Sequence, residues 1–419
     1  MQLKTILNHV SKFKSFVFQT PYWEESHDGE CVIVIPIKAR ANSRAVCSCC
    51  GKRRPTYDHL DERRFEFVPL WMIAVFFVYR MRRVDCSTCG VKVESVPWAE
   101  GKHTQTITYR WFLAKWAKRL SWAEVAVTFR TSWDSVFRAV EHAVEWGLAH
   151  RSLDNVTAIG VDEIQRRKGH RYVTLVYQIN EGQKRLLWIG KDRTEQTLRA
   201  FFDMFGEQRS AALEFVCSDM WQAYLKVIKE KAAGAINILD RFHIMQKMNK
   251  AIDQIRRAEI KAITKEHEHY EVLKGAKWSL LKRRENLTDK QTVKLQELLK
   301  CNLKAVRGYL LREDFQRFWH YQLPYWAGRF LDEWCTRTMR SQLEPMKNVA
   351  KSLRNHRPLI LNWFKARGTM SSGAVEGLNL KAKLAIRKAF GFKSYRTMEI
   401  ALYHALGDLP EPGITHRFC

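Results

Sequence analysis

Val156-Thr-Ala-Ile-Gly-Val-Asp162 is an apolar run that ends in an acid, and Leu213-Glu-Phe-Val-Cys-Ser-Asp219 repeats this pattern. Short apolar runs rich in β-branched and aromatic residues predict buried strands. Two more strands are predicted between the runs, joined by the turn Asn180-Glu-Gly182. The predicted elements are the strands 156–162, 172–179 and 185–190, the helix 195–205, the strand 213–219, the helix 220–228 and the strand 235–239.

This order of three strands, helix, strand, helix and strand predicts an α/β domain with a ribonuclease-H-like core. In such a core the first and fourth strands are neighbours, so we expect Asp162 and Asp219 at one edge of the sheet. Two adjacent carboxylates repel each other, and magnesium or manganese, which prefer oxygen ligands, remove that repulsion. Each acid on its own is equally well explained as a carboxylate that ends a strand. Glu163 is left out because adjacent strand residues face opposite ways; His243 and Arg193 are weaker candidates, and a structural hydrogen bond explains His243 equally well.

A third acid is expected in Ser371-Ser-Gly-Ala-Val-Glu376-Gly-Leu-Asn379, where Glu376 falls in the first turn of a predicted helix. No acid follows until Glu399, and the intervening basic residues predict a track for phosphates. Among these basic residues are Lys381, Lys383, Arg387, Lys388 and Lys393. Three acids could hold two divalent ions, and two ions that lie about 3.5–4 Å from each other suit phosphodiester chemistry.

Two short cysteine pairs predict a zinc site near the N-terminus. Cys47-Ser-Cys49-Cys50-Gly51 and Cys86-Ser-Thr-Cys89-Gly90 each contain a C-x-x-C spacing followed by glycine. Two such knuckles form a tetrahedral four-thiolate site, and the glycine lets the backbone fold back under the metal. The spacing favours Cys47, Cys50, Cys86 and Cys89 as ligands, although a pairing through Cys49 can also be written. Reduced cysteines without a metal are the alternative.

A helical pattern over residues 104–147 predicts a helix-turn-helix. Ser121 and Glu124 form a capping box for a short helix 122–129, and a second helix is expected to begin at Thr131 or Ser132 and to stop at Gly147. The second helix of such a pair enters the major groove of DNA. Its exposed start would carry the DNA-binding residues Ser132, Ser135 and Arg138. Plain helix packing is the alternative.

The charge of the chain favours a polyanionic partner. Its 419 residues include 71 Lys and Arg against 44 Asp and Glu, a formal net charge of +27. Such a surplus attracts nucleic acids, although a cationic surface without a function is the alternative. A hydrophobic fraction of 46% excludes disorder over the whole length. Neither an apolar run of about 18 residues nor a secretory signal is recognised, so we expect a cytoplasmic protein without membrane contact.

The patterns divide the chain into five predicted segments. Residues 244–368 are helical in pattern throughout and predict an all-α insertion into the core. The segments are 1–100, a zinc-ribbon domain; 101–150, a helix-turn-helix domain; 151–243, the first part of the core; 244–368, the insertion; and 369–419, the C-terminal helical part of the core.

Together these motifs resemble one family, the bacterial insertion-sequence transposases of the ISL3 type. The resemblance runs from the cysteine pairs nearly to the end of the chain. Its most specific pieces are Gly160-Val-Asp162-Glu163, Lys168-Gly169, Ser218-Asp219 with Tyr224, Asp240-Arg-Phe-His243, and Gly373-Ala-Val-Glu376-Gly-Leu-Asn379 continuing to Arg387 and Gly391-Phe392. The family pattern places catalytic carboxylates at Asp162, Asp219 and Glu376. Ala374 and Ser371–Ser372 depart from it, since a more Asn- or Asp-like cap is expected there.

The resemblance implies a DDE-type transposase that binds the terminal inverted repeats of its own element as a homodimer or larger assembly. We therefore expect metal-dependent cleavage of the element's ends and joining to target DNA, in the bacterial cytoplasm at the nucleoid. Two alternatives stay open: a DNA-binding regulator without catalysis, and a ribonuclease-H-like nuclease or resolvase.

Overall fold

Strands dominate the first hundred residues and helices the last two hundred in the computed structural model of the chain. It describes residues 2–11, 13–26, 29–167, 171–366, 373–389 and 391–413. Lys168-Gly169 and Ser371–Ser372 of the family motifs lie outside these residues.

Thirteen strands are found among the described residues. They are β1 Phe16–Phe18, β2 Tyr22–Glu25, β3 Cys31–Ala39, β4 Ala45–Val46, β5 Arg53–Arg54, β6 Thr56–Leu70, β7 Ile73–Cys86, β8 Gly90–Val93, β9 Ala158–Arg167, β10 Arg171–Asn180, β11 Gln183–Lys191, β12 Phe215–Ser218 and β13 Ile236–Leu239.

Seventeen α-helices and two short 3-10 helices, Arg284–Asn286 and Arg317–His320, accompany them in the same part of the chain. The α-helices are α1 Leu3–Val10, α2 Ile107–Trp116, α3 Trp122–Thr128, α4 Trp133–His150, α5 Glu195–Phe205, α6 Glu207–Ala211, α7 Gln222–Lys231, α8 Arg241–Ala262, α9 Tyr270–Lys274, α10 Lys277–Leu281, α11 Asp289–Leu299, α12 Lys304–Gln316, α13 Pro324–Met339, α14 Glu344–Asn355, α15 Arg357–Lys365, α16 Gly373–Lys388 and α17 Tyr395–Leu406. None of the described helices combines the length and apolar character needed to cross a membrane.

The chain divides into two compact units, residues 1–151 with 385–419, and residues 152–384. The division into five segments is finer than this and stays a prediction. The C-terminal helix α17 belongs to the first unit, where it packs against α4.

The first unit contains a sheet in the order β1-β3-β7-β6, with β2 paired to β3 and β8 paired to β7. The β6–β7 hairpin extends beyond its apolar part, because the charged and largely exposed first half of β6 pairs with β7 as far as Val84. Trp98 anchors the core of this sheet, with its ring centroid 4.9 Å from that of Phe16 and 5.3 Å from that of Tyr79.

Two short-range predictions can be compared with the helices of this unit. The capping box of Ser121 and Glu124 is present at the start of α3, and the Ser132 side chain caps α4. The predicted stop at Gly147 is wrong, because α4 continues to His150. A Cβ at position 147 would lie 2.7 Å from Cβ of Leu409. Gly147 therefore allows close packing inside a helix and does not end it.

The second unit contains a five-stranded sheet in the order β11-β10-β9-β12-β13. β9, β10 and β11 are antiparallel, whereas β12 runs parallel to both β9 and β13. The first and fourth strands are thus neighbours, as the sequence predicts. Helices α5 and α7 cover one face through an apolar core that includes Phe201, Phe205 and Val227.

Between β13 and α16, the regular secondary structure of the described residues consists of helices only. Their core surrounds Trp334, whose ring lies 4.9 Å from that of Phe315 and whose Nε1 donates to the carbonyl of Leu311 at 2.9 Å. Asn362 of α15 donates to the backbone carbonyl of Asn237 in β13 at 2.9 Å. The chain thus returns to the edge of the sheet just before α16.

Helix α16 packs directly on β9 at a glycine. A Cβ at position 160 would lie 2.3 Å from Cγ2 of Val375, closer than two carbon atoms can approach. Gly160 therefore allows the backbone of β9 to approach the first turn of α16.

Gly160→Ala is expected to lower the free energy of unfolding by about 1–3 kcal/mol, the usual cost of overpacking. Gly377→Ala is the matched control in α16, because no atom lies within 4 Å of the added methyl and alanine favours a helix over glycine. Val375→Ala should relieve the overlap, so Gly160→Ala with Val375→Ala should lose less stability than the two single changes combined. Thermal unfolding measures all four variants, and additive losses would contradict a direct contact.

Candidate functional site

The parallel strands of the second unit bring three acids to the same level of the sheet. Gly160 pairs with Cys217, so Asp162 and Asp219, each two residues further along, lie side by side. Asp240 directly follows β13, the next parallel strand. These three residues are called the carboxylate cluster below.

Local backbone geometry orients each carboxylate. One oxygen of each acid accepts a hydrogen bond from a backbone N–H just beyond it, which holds the side chain against its own loop or strand. The pairs are Glu163 N with Asp162 Oδ1 at 2.7 Å, Trp221 N with Asp219 Oδ1 at 2.9 Å, and Phe242 N with Asp240 Oδ1 at 2.8 Å.

Burial and mutual repulsion make the cluster costly to ionise. Burial raises the pKa of Asp219 and that of Asp240, and in both cases the charge of Asp162 adds to the increase. The pKa of Glu163 rises to about 7 through burial and through the charges of Asp219 and Asp162, although Arg193 pairs with it at 3.1 Å. Shared cations relieve this kind of repulsion.

His243 is the nearest histidine to the carboxylate cluster. Its Nε2 lies 3.8 Å from Asp162 Oδ1 and 4.0 Å from Asp240 Oδ2. Burial alone would lower the pKa of His243, but the nearby negative charges of Asp162, Asp240 and Asp219 raise it. His243 thus belongs to this group of acids.

Helix α16, which carries Glu376, contacts the cluster through Asn379. One turn beyond Glu376, the buried Asn379 donates from Nδ2 to Asp162 Oδ2, and its Oδ1 accepts from the Tyr177 hydroxyl at 2.7 Å. Glu376 itself is exposed, and its charge contributes to the raised pKa of Asp240.

Carboxylate oxygens on adjacent strand ends are the donors that magnesium and manganese prefer, so Asp162 and Asp219 fit a shared divalent ion. Asp162, Asp219 and Glu376 do not form a group whose ligand atoms all lie within 4.8 Å of one another. Among the described residues, four cysteines are the one group of three or more metal-ligating side chains whose ligand atoms all lie within 4.8 Å of one another. The charge of Glu376 acts on Asp240 of the carboxylate cluster, but Glu376 is not part of a group as compact as the four cysteines.

Three neighbours of this site were not among the predicted site residues. Asp240 carries the signal that identified Asp162 and Asp219, an acid directly after a strand, and could have been found by it. Glu163 was left out because its side chain was expected to point to the other face of the strand, yet the charges of Asp219 and Asp162 raise its pKa. Asn379 was named only as part of a family motif, and its contact with Asp162 was not predicted because the two residues are 217 positions apart.

The four predicted zinc ligands form a separate cluster in the first unit. Cys47 precedes the β4–β5 turn and Cys86 ends β7, and their partners Cys50 and Cys89 complete a set within 4.8 Å. The glycines that follow both pairs adopt positive φ, +70° at Gly51 and +71° at Gly90, as the knuckle geometry requires.

Backbone N–H groups support negative charge on the sulfurs of Cys47 and Cys86, whereas the neighbouring thiols raise the pKa of Cys89. Hydrogen bonds from the backbone of Thr88, and then of Cys89, outweigh burial and lower the pKa of Cys86 to about 6. A thiolate is the form that ligates zinc. The four sulfurs fit a tetrahedral zinc ion, and Cys49, which is exposed, lies outside the set.

The comparisons with known proteins concern the same regions. A transposase family model, that of the ISL3 type, matches residues 159–402, more than half of the chain. The chain belongs to this family. The match begins in β9, just before Asp162, and ends in α17, so it spans all three predicted catalytic acids.

Two curated relatives extend the similarity beyond the ISL3 region. The transposase for insertion sequence element IS1001 of Bordetella parapertussis is 28% identical over 354 residues, 83% of this chain and 85% of that protein. The transposase for insertion sequence element IS1557 of Mycobacterium tuberculosis (strain ATCC 25618 / H37Rv) is 28% identical over 424 residues, 95% of this chain and 94% of that protein.

The predicted DNA-binding residues of this ISL3-family chain lie on two helices. In the first unit, Ser132 Oγ accepts from the N–H of Ser135 at 3.1 Å, and Arg138 pairs with Asp134 at 2.8 Å. The second set is exposed along α16 and consists of Lys381, Lys383, Arg387 and Lys388.

Cys50→Ser is expected to release zinc from the purified chain, because three sulfurs no longer complete a tetrahedral site. Cys49→Ser is the matched control and should keep about one zinc ion per chain. Elemental analysis of both proteins measures the metal content. Equal zinc in the two variants would rule out the four-cysteine site.

Divalent cations are expected to raise the Tm more at pH 8 than at pH 5. Because the pKa values of Asp219, Asp240 and Glu163 are raised, the folded chain retains protons that the unfolded chain loses. The free energy of unfolding therefore falls as the pH rises through the raised pKa values of these three groups, of which that of Glu163 is about 7. A bound cation offsets that loss at pH 8, whereas protons compete with it at pH 5.

Thermal unfolding with and without millimolar Mn²⁺ measures this difference at both pH values. Asp219→Asn should abolish most of the shift, and Asp203→Asn, which changes an exposed acid on α5, should preserve it. A shift of equal size in wild type and Asp219→Asn would show that the cation binds elsewhere.

Proposed function

We propose that this chain is a DDE-type transposase that cleaves the ends of its insertion sequence and joins them to target DNA. Membership of the ISL3 transposase family supports a DNA substrate. The observation that carries the proposal is the carboxylate cluster, in which adjacent parallel strands hold Asp162 and Asp219 beside the helix of Glu376.

The strand order of the second unit supports a ribonuclease-H-like assignment for the catalytic core. Three antiparallel strands followed by two parallel strands, with α5 and α7 on one face, are what such a core requires. Its catalytic acids would then be Asp162 on β9, Asp219 after β12 and Glu376 on α16.

In this proposal the three carboxylates hold two divalent ions, magnesium or manganese. When bound, such ions activate the attacking oxygen and stabilise the departing one. The chain's own groups orient the ligands: the backbone N–H of Trp221 holds Asp219, and Asn379 holds Asp162.

Both chemical steps are displacements at phosphorus, so one site serves both. In the first, water attacks the phosphodiester at the element's end, and the departing oxygen takes a proton to become a 3′-hydroxyl. In the second, that hydroxyl attacks a phosphodiester of the target, and the displaced target oxygen receives the proton. One phosphorus–oxygen bond forms and one breaks in each step.

The first unit would recognise the terminal inverted repeat. Helices α3 and α4 are proposed as the helix-turn-helix, with Ser132, Ser135 and Arg138 near the base edges. On binding, Arg138 would leave Asp134 and contact DNA instead. The ion pair between Arg138 and Asp134 is exposed and therefore costs little to break. The zinc site would stabilise a second contact surface.

Lys381, Lys383, Arg387 and Lys388 would bind phosphates along α16. We propose that two or more copies act together on double-stranded DNA, since an element has two ends, and that this occurs at the bacterial nucleoid.

Asp219→Ala is expected to lower the rate of end cleavage by about 10³-fold or more. Metal-assisted charge stabilisation is worth several kcal/mol, and about 1.4 kcal/mol corresponds to a factor of ten. Binding to the repeat should be retained, because its proposed contacts lie elsewhere. The substrate is a duplex taken from the DNA that flanks the coding sequence, with Mg²⁺ and a supercoiled target, and Asp203→Ala is the control.

The products separate the proposal from its alternatives. A pre-cut end with a 3′-hydroxyl should be joined to the target, whereas a nuclease or resolvase would cut without joining. A regulator without catalysis would bind the repeat, and Asp219→Ala would change nothing. Either result would refute the transposase proposal.

A further inference from the structure

One face of α8 starts at the carboxylate cluster and is basic. His243, Lys247 and Lys250 are spaced four and three residues apart, so their side chains lie on the same side of the helix. His243 lies 3.8 Å from Asp162, which marks where this face begins. An adjoining side is buried in the helical core through Ile244, Met248 and neighbours. We call the side with Lys247 and Lys250 the basic face.

Lys247 is half-buried and, within the described part of the chain, no acidic side chain forms an ion pair with it. Its Nζ donates to Oγ of Ser352 at 3.3 Å and lies 3.7 Å from Sδ of Met220. The charge of Asp219 acts on it, yet burial lowers the pKa of Lys247. The ammonium is therefore partly desolvated without being neutralised, and a bound anion would offset that cost.

Lys250 continues the face into solvent. It is exposed, and its charge acts on Lys247. Among the described residues, neither lysine has a carboxylate within ion-pair distance. The next acid along the helix is Asp253, and Arg256 and Arg257 each pair with it at 2.7 Å. Both lysines thus keep their positive charge available.

The dimensions fit a nucleic-acid strand. From His243 to Lys250 the helix advances about 10.5 Å at 1.5 Å per residue. Neighbouring phosphates of one strand lie farther apart than the rise of about 3.4 Å along the duplex axis, so two long lysine side chains about one helical turn apart can reach adjacent phosphates. Lysine binds phosphate oxygens as a point charge and tolerates any base sequence.

We propose that Lys247 and Lys250 bind consecutive backbone phosphates of the strand that is cut and lead it from the carboxylate cluster along α8. This proposal rests on the proposed function, because it assumes that the scissile phosphodiester lies at the cluster. The alternative role of Lys247, neutralisation of Asp219 without DNA contact, is an outcome of the test below.

The test replaces single phosphates by neutral methylphosphonates. In the duplex that flanks the coding sequence, each of the four phosphates on either side of the cut is modified in turn. Cleavage rate and Kd are measured for the wild type, Lys250→Ala, Lys247→Gln and Lys290→Ala. Lys290 is an exposed lysine on α11, so its variant is matched in net charge.

At one or two positions the modification should slow cleavage or weaken binding by about tenfold in the wild type, the size of one charge-assisted hydrogen bond. The same modification should have no further effect in the variant of the lysine that contacts it, whereas Lys290→Ala should keep the full loss. Because Lys250 is exposed, its result does not depend on folding. Lys247→Arg should restore the wild-type pattern if Lys247→Gln is impaired.

Additive losses for both lysines at every phosphate would overturn the proposal and leave Lys247 as a neutralising residue. Failure of the wild type to cut the unmodified duplex would instead refute the proposed function, and the Kd measurements would still decide the phosphate contacts. In the Asp219→Ala background, removal of both lysines should also make the fall of the log of the DNA-binding constant with log salt less steep, by about 2 in slope.

Discussion

The repulsion between carboxylates at the ends of three parallel strands is the constraint on which the second unit depends. The register of β9, β12 and β13 brings Asp162, Asp219 and Asp240 to one level. Burial and mutual charge then raise the pKa values of the last two. A fold selected for stability alone would place apolar residues there. Buried acids that repel one another are the arrangement that a shared cation would stabilise, and the surrounding helices can be described by how they contact these acids.

Two contacts with little freedom bring α16 to that site. Gly160 allows Val375 to approach the strand, and Asn379 connects Asp162 to Tyr177 inside the protein. The first contact sets the distance between helix and strand. The second sets the rotation of the helix, because a buried amide must satisfy both its donor and its acceptor. Glu376 is consequently placed by packing on either side of it, while its own side chain stays exposed.

Local patterns predicted the elements well, because strand and helix periodicities and caps depend on neighbouring residues. The predicted helix 195–205 matches α5, and the capping box at Ser121 is present. The C-x-x-C spacing likewise identified the four clustered cysteines. Gly147 misled the prediction, since its role depends on Leu409, a residue far along the chain. The contact of Asn379 with Asp162 was not predicted for the same reason. Contacts between distant segments leave no local signal.

The helical region between β13 and α16 has a structural task that follows from this geometry. Asp162 and Asn379 are 217 residues apart, and closing so long a loop costs conformational entropy. A region with its own core around Trp334 lowers that cost, because it folds into a body of defined length. Its last helix returns to β13 through Asn362, and its first helix, α8, leaves from Asp240 at the cluster. The region therefore starts and ends at the same sheet edge. It carries the chain from the carboxylate cluster to the helix that holds Glu376, and the two lysines proposed to bind phosphates lie on its first helix.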